Sequence, residues 1–167
     1  FAGWNTVANG SGTSYPGSAT FAISTSNVTL FAKWIPVNYT VTYNGNTNTG
    51  GSVPTDGNTY TITSSVTVLG NTGNLVRTGY TFAGWNTVAN GSGASYTGGS
   101  TFTMGSSDVT LYAQWIEAVY SITYSGNNNT GGSVPTDATS YNSGDTATVL
   151  GNTGNLVRTG YTFAGWN

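Results

Sequence analysis

The sequence predicts a mainly β chain made of small tandem units with very little helix, and three observations lead there. The first is repetition. Gly79-Tyr80-Thr81-Phe82-Ala83-Gly84-Trp85-Asn86 returns unchanged at 160–167, and its last five residues open the chain as Phe1-Ala2-Gly3-Trp4-Asn5. Phe1, Phe82 and Phe163 stand 81 residues apart, and Trp34 maps onto Trp115, Tyr39 onto Tyr120, Pro54 onto Pro135 and Arg77 onto Arg158 at the same step. A constant step without insertion marks repeated structural units. The second observation is two-residue alternation of apolar side chains, the period of a half-buried strand. The third is that no stretch sustains the 3.6-residue period of an amphipathic helix.

An 81-residue unit is long enough to bury a modest core of its own. It also exceeds the coil of most solenoids, about 20 to 50 residues, so each unit reads as a small globular domain. The chain starts and stops inside the repeated stretch and reads as a segment of a longer array. The copies differ most around Ile35-Pro36-Val37-Asn38 and Ile116-Glu117-Ala118-Val119, which marks the joints. The expected division is therefore 1–37 as the C-terminal part of one unit, 38–117 as a complete unit and 118–167 as the N-terminal part of the next.

Taken in order, Phe1 to Asn5 ends a strand. Asn9-Gly10 and its copy Asn90-Gly91 are hairpin signals, because both residue types tolerate positive φ. Thr20-Phe21-Ala22-Ile23 reads as a short strand. Val28-Thr29-Leu30-Phe31-Ala32-Lys33-Trp34 is the clearest strand, with Val28, Leu30, Ala32 and Trp34 on one face. In its copy, 109–115, Tyr112 replaces Phe31 and Gln114 replaces Lys33, so both swaps fall on the opposite face. That makes Phe31 and Tyr112 candidates for contact between units. Tyr39-Thr40-Val41-Thr42-Tyr43 opens the complete unit as a strand, repeated at 120–124. A Gly- and Asn-rich loop follows to Asp56. Residues 60–69 read as one bent strand or two around Ser64-Ser65. Residues 73–76 are the one place for a short helix or 3₁₀ turn, and their Gly and Asn content makes it marginal. Residues 80–85 close the pattern as a strand.

Composition excludes several classes of function. Three basic and five acidic side chains give a net charge of −2 with no basic patch, so nothing here would neutralise a nucleic-acid backbone or bind an anionic membrane. No apolar run approaches the roughly 20 residues that span a bilayer. Cysteine and histidine are both absent, which removes disulfides, thiolate chemistry and a base working near neutral pH. Ser and Thr abound without a base to activate them, and no unit repeats a pair of acids, so no enzyme and no cofactor are expected. Calcium needs several oxygen ligands including carboxylates, and each loop offers one acid at most. Aromatic residues at 13% are too many for a disordered chain. A surface of Ser, Thr, Asn and Gly fits an exported protein. Sequons occur at Asn9, Asn27, Asn38, Asn90 and Asn128, as expected by chance in such a composition.

Two residue sets stand out. Trp4, Trp34, Tyr80, Phe82, Trp85, Leu111 and Trp115 are the expected core, since a unit with few leucines needs large side chains to fill it. A sugar-stacking platform is the competing use of these rings. Asp56 and Arg77, with copies Asp137 and Arg158, are the charges kept in both copies and are expected to be structural polar anchors.

Thr78-Gly79-Tyr80-Thr81-Phe82-Ala83-Gly84-Trp85, followed by Val109-Thr110-Leu111-Tyr112-Ala113-Gln114-Trp115, resembles the Listeria–Bacteroides repeat, the B-repeat of internalin B and its relatives. Tyr39 to Tyr43 and Gly50-Gly51 match that family's opening strand and glycine pair, so the resemblance covers essentially the whole chain. It implies a β-grasp-like (SUMO-like) domain in tandem arrays of secreted or surface-attached bacterial proteins. The expectation is a structural segment of an extracellular stalk, fibre or filament whose partners are neighbouring copies of the repeat. The alternative is an adhesive module recognising a host protein or glycan, with the divergent stretches 57–66 and 138–147 as the place to look.

Overall fold

A computed structural model describes residues 1–167. It contains eleven strands and no helix: β1 (Gly3–Asn5), β2 (Ser14–Tyr15), β3 (Phe31–Lys33), β4 (Val41–Asn44), β5 (Ser65–Thr67), β6 (Tyr80–Asn86), β7 (Ser95–Tyr96), β8 (Thr101–Thr103), β9 (Val109–Glu117), β10 (Val119–Tyr120) and β11 (Tyr141–Asn142). They form a three-stranded sheet in the order β2-β1-β3, a four-stranded sheet in the order β4-β9-β6-β7, and the pairs β5-β8 and β10-β11. The mainly β expectation therefore stands.

The residues gather into two compact units built from non-contiguous segments. The first comprises Phe1–Val41, Gly57–Val66 and Phe102–Val109. Its three-stranded sheet pairs Trp4 with Tyr15 and with Ala32, both antiparallel. Val41, Val66 and Met104 are buried. The Thr63 N–H donates to the Met104 carbonyl and the Met104 N–H to the Ser64 carbonyl.

The second unit comprises Thr42–Asp56, Thr67–Thr101 and Thr110–Asn167. Here β6 runs antiparallel to β9 from Tyr80↔Glu117 to Asn86↔Tyr112. Leu111 and Ala113 of β9 are fully buried, and Tyr43, Val68, Leu75 and Trp85 complete the core. Residues that alternate along β9 thus divide between core and surface, as a pleated strand requires.

The register of β6 shifts between Phe82 and Gly84. Gly84 has a φ of +128°, and a Cβ there would lie 2.8 Å from the Tyr96 carbonyl oxygen. An extra residue in one strand makes such a bulge, and glycine tolerates both the angle and the approach of a neighbouring backbone.

Three local expectations need correction. Residues 20–23 form no strand, whereas their copy includes β8. A strand needs a partner: β8 has β5, and residues 20–23 pair with no strand. The Asn-Gly turns are not two-residue hairpins. The turn bond is Gly10 N–H to the Val7 carbonyl, Gly10 alone of the pair has positive φ, and residues 6–13 form a wider loop. Residues 73–76 are not helical. One amide satisfies both backbone groups of Leu75: Asn71 Nδ2 donates to its carbonyl at 2.9 Å and Asn71 Oδ1 accepts its N–H at 2.7 Å. With Asn74 at a left-handed φ of 51°, this side-chain turn replaces a helical ladder.

Gly84→Ala is expected to lower the unfolding free energy by about 1–3 kcal/mol, the usual cost of a side chain forced into such a conformation. Urea denaturation followed by tryptophan fluorescence measures it, and Ala83→Gly on the exposed face of the same strand serves as the milder control.

Candidate functional site

The most constructed feature of the chain is an aromatic clamp around the backbone of one residue. The Tyr43 hydroxyl accepts the Leu69 N–H at 2.7 Å, and Trp85 Nε1 donates to the Leu69 carbonyl at 2.9 Å. The Tyr43 and Trp85 rings meet edge to face at 4.8 Å, and Phe82 meets Trp85 at 5.2 Å. Burial pushes the Tyr43 phenol above its ordinary value, the Leu69 N–H draws it back, and the charge of Asp56 adds to the rise. The clamp is built twice. The Tyr124 hydroxyl accepts the Leu150 N–H at 2.8 Å, Trp166 Nε1 donates to the Leu150 carbonyl at 2.7 Å, and Phe163 meets Trp166 at 5.1 Å.

In the first clamp β9 supplies the next layer. Trp115 meets the Phe82 ring at 5.7 Å and donates from Nε1 to the Gly45 and Asn46 carbonyls at 3.1 and 3.0 Å. Asn46 Nδ2 returns a bond to the Ala113 carbonyl at 2.8 Å. At the second clamp the corresponding space is an open cleft of about 960 Å³, whose lining includes Ile122, Tyr124, Asn127, Leu156, Phe163 and Trp166.

Of the residues expected to form the core, Trp85 and Leu111 are buried, and Tyr80, Phe82 and Trp115 are half-buried. Trp4 and Trp34 are not core residues: they are 40% and 72% exposed. Both pack on Phe1, at 5.2 and 5.8 Å. Trp85 is held by the Leu69 carbonyl and the Tyr43 ring, whereas the ring that meets Trp4 and Trp34 is that of the exposed Phe1.

The expected anchors work in different ways. The Arg77 guanidinium lies 3.8 Å from the centre of the Tyr80 ring, and that of Arg158 lies 4.2 Å from Tyr161. Each Gly-Tyr pair is thus met by a stacked cation. Asp137 accepts the Thr139 N–H at 2.9 Å and the Tyr141 hydroxyl at 2.7 Å. These bonds, the Thr139 N–H foremost, hold its carboxyl below the ordinary value, while the same contact raises the Tyr141 phenol. No group of three or more acidic side chains gathers anywhere in the chain.

Two polar features carry no motif of their own. Asp108 Oδ1 accepts both the Thr40 N–H at 2.7 Å and the Thr40 hydroxyl at 3.0 Å. Asn86, fully buried, organises the loop behind β6. Its Nδ2 donates to the Gly91 and Gly93 carbonyls and Ser95 Oγ, and its Oδ1 accepts the Val88 and Gly93 N–H groups, all at 2.8–3.1 Å. Asn5 repeats this set around loop 6–13. The available signal was that the shared octapeptide ends in Asn in every copy.

The family model of the Listeria-Bacteroides repeat domain matches residues 1–33, 39–114 and 120–167. Among known proteins, one from Evansella cellulosilytica, provisionally named a Gly-rich membrane protein, is 37% identical over 131 residues, 76% of this chain and 15% of that protein. A second from the same organism, provisionally named a membrane protein, is 45% identical over 89 residues, 53% of this chain and 13% of its own length. The chain thus spans a small part of these relatives. No solved structure matches it. No helix is long and apolar enough to cross a membrane.

Two outcomes follow. Asn86→Asp removes the donors to two carbonyls and buries a charge. It should cost about 3 kcal/mol and raise amide exchange in loop 87–94 roughly a hundredfold. Hydrogen-exchange mass spectrometry checks this. The folded Asp137 carboxyl is depressed, so its contribution is present above the ordinary carboxylate value and lost as pH falls through the lowered one. Amide protection at Thr139 should fade only in that acidic window, as an NMR pH titration would record, and Tyr141→Phe should move the fading toward neutral pH.

Proposed function

The chain belongs to the Listeria-Bacteroides repeat family, and from that premise we propose that it is a structural segment of an extracellular bacterial stalk or fibre. The units are 1–37, 38–117 and 118–167, repeating every 81 residues, and neighbouring copies of the repeat are the partners. The observation that carries this reading is the clamp: the same Tyr–Leu–Trp set, with the same two hydrogen bonds, is built at Tyr43, Leu69 and Trp85 and again at Tyr124, Leu150 and Trp166. Units that spend their aromatic residues on identical internal clamps are suited to spacing and to bearing load. The matched family is a family of repeat domains and not of enzymes. The membrane-protein names of the two relatives support attachment at the cell surface.

For the complete unit we take a β-grasp-like arrangement. Supporting it, Thr40 with Asp108 and Thr42 with Thr110 keep a constant offset of 68 residues, the mark of parallel neighbours, and β9 lies between β4 and β6. A second reading, an adhesive module for a host protein or glycan, is favoured by one observation. Ala138 and Thr139, beside the Asp137–Tyr141 contact, stand where the other copy has Gly57 and Asn58, while Asp137 and Tyr141 themselves recur as Asp56 and Tyr60.

Single-molecule stretching of a tandem array tests the structural reading. The expected trace is a series of equal force peaks spaced about 25 nm apart, the extended length of one unit less its folded width. Unequal peaks or a featureless extension, together with saturable binding of a glycan or host protein, would transfer the function to the adhesive module.

A further inference from the structure

We propose that the Asn90-Gly91 turn, with its copy Asn9-Gly10, is a site of spontaneous covalent modification. The asparagine amide is lost to the backbone nitrogen of the following glycine, and the turn ends as aspartate or isoaspartate. The site lies apart from the clamps, needs no partner and does not depend on the array reading above.

Asn-Gly pairs occur at 9–10, 44–45 and 90–91. A glycine after asparagine carries no side chain to hinder the approach of its own nitrogen to the amide carbon. The reaction balances without oxidant or catalyst. The Gly91 nitrogen gives up its proton and bonds to Asn90 Cγ; the Cγ–Nδ2 bond breaks and ammonia leaves. The cyclic imide then takes up one water. Breaking the new N–Cγ bond gives aspartate at position 90. Breaking the bond from that nitrogen to the original main-chain carbonyl gives isoaspartate, in which the main chain runs through Cγ and is one carbon longer.

The folded loop favours this course. The Ser92 N–H donates to Asn90 Oδ1 at 3.0 Å, and the Ser11 N–H to Asn9 Oδ1 at 3.0 Å. A bond on the oxygen draws electrons from Cγ and leaves the nitrogen as the group to depart. Once the amide is a carboxylate, the same N–H makes a charge-assisted bond that stabilises the product. Residues 88–95 are all exposed, so water reaches the imide. The Gly91 N–H is engaged by the Val88 carbonyl at 2.9 Å, as Gly10 is by Val7, and that bond must open first. It closes an exposed turn outside any strand, where local opening takes little free energy.

Asn44-Gly45 is the internal contrast. It makes the same turn, with the Asn46 N–H on Asn44 Oδ1 at 2.9 Å. Its glycine, however, is buried, and the Gly45 carbonyl accepts Trp115 Nε1 at 3.1 Å and the Asn48 N–H at 3.2 Å. The Gly45 nitrogen cannot swing onto Cγ without pulling that carbonyl from the Trp115 indole. The dipeptide alone ranks the three pairs together, and the fold separates them. The consequence for the loop depends on the product. Aspartate leaves the main chain in place and adds one negative charge. Isoaspartate inserts a carbon between positions 90 and 91 and displaces the Gly91 carbonyl from Asn86 Nδ2, which holds it at 3.1 Å. Conversion at both turns doubles the net charge of −2, and the change is irreversible, so these loops keep a record of time spent in water.

Incubation of the 167-residue chain in mildly alkaline buffer, with peptide mapping by mass spectrometry at intervals, tests the proposal. In the folded chain Asn9 and Asn90 should convert at similar rates and Asn44 at least about tenfold more slowly. In urea sufficient to unfold the chain, the three should convert alike. Hydrogen exchange on the aged chain should show protection lost across loop 87–94 in the isoaspartate fraction and kept in the aspartate fraction. Asn90→Gln, at an exposed position and with a side chain one carbon too long for the same ring, should stay unconverted there and leave the Asn9 rate unchanged. An Asn90 that stays intact in the folded chain, or an Asn44 that converts as fast as Asn90, would overturn the assignment.

Discussion

The backbone of a single residue, Leu69, is the constraint on which the central fold depends. Its N–H is taken by a phenol and its carbonyl by an indole, both from side chains that also supply the apolar bulk of the core. A buried, unpaired peptide group costs more than a made bond returns. Phe at either position would fill the space and leave that cost uncompensated, so these sites require Tyr and Trp. Strand geometry follows. β4 must bring Tyr43 and β6 must bring Trp85 to the same point, and the Gly84 bulge allows β6 to do so while staying in register with β9. The second clamp keeps the same bonds.

Amides replace charge throughout. Asn5 and Asn86 each hold a whole loop, Asn71 and Asn152 each close a turn on a leucine, and Asn46 ties β9 to the loop after β4. An amide offers donors and an acceptor together and carries none of the desolvation cost of a buried ion. A chain with 5% charged residues can therefore satisfy long Gly-rich loops, and no buried side-chain polar atom is left without a partner. The charges that remain lie at the margins, in two Arg–Tyr stacks and in carboxylates that accept local N–H and hydroxyl groups.

Repetition makes the comparison between copies an internal control. Tyr39 bridges Tyr60, and Tyr120 pairs with Tyr141; Gly50 bridges Val76, and Gly131 bridges Val157. These contacts recur because they are local or set by backbone conformation, such as the left-handed Asn74 and Asn155, each at a φ of 51°. Contacts that need a distant strand do not all recur, and β8 forms in one copy only.

The division between what the sequence determined and what tertiary structure decided follows the range of the interactions. Class, repetition and the inward face of β9 are periodic properties, and periodicity is visible in one dimension. So are the anchors, because a charge retained in a nearly neutral chain stands out. Which tryptophan is buried is different. Trp4 and Trp85 sit in the same five residues, FAGWN, yet one is 40% exposed and the other 1%. Trp34 and Trp115 close nearly the same seven residues, VTLFAKW and VTLYAQW, and differ likewise. Burial belongs to what packs against a residue, and for Trp85 that is Tyr43 and Leu69, far from it along the chain. The loop-holding role of Asn86 and the turn made by Asn71 were equally invisible, because one asparagine among many acquires its meaning only when the fold brings carbonyls and N–H groups around it.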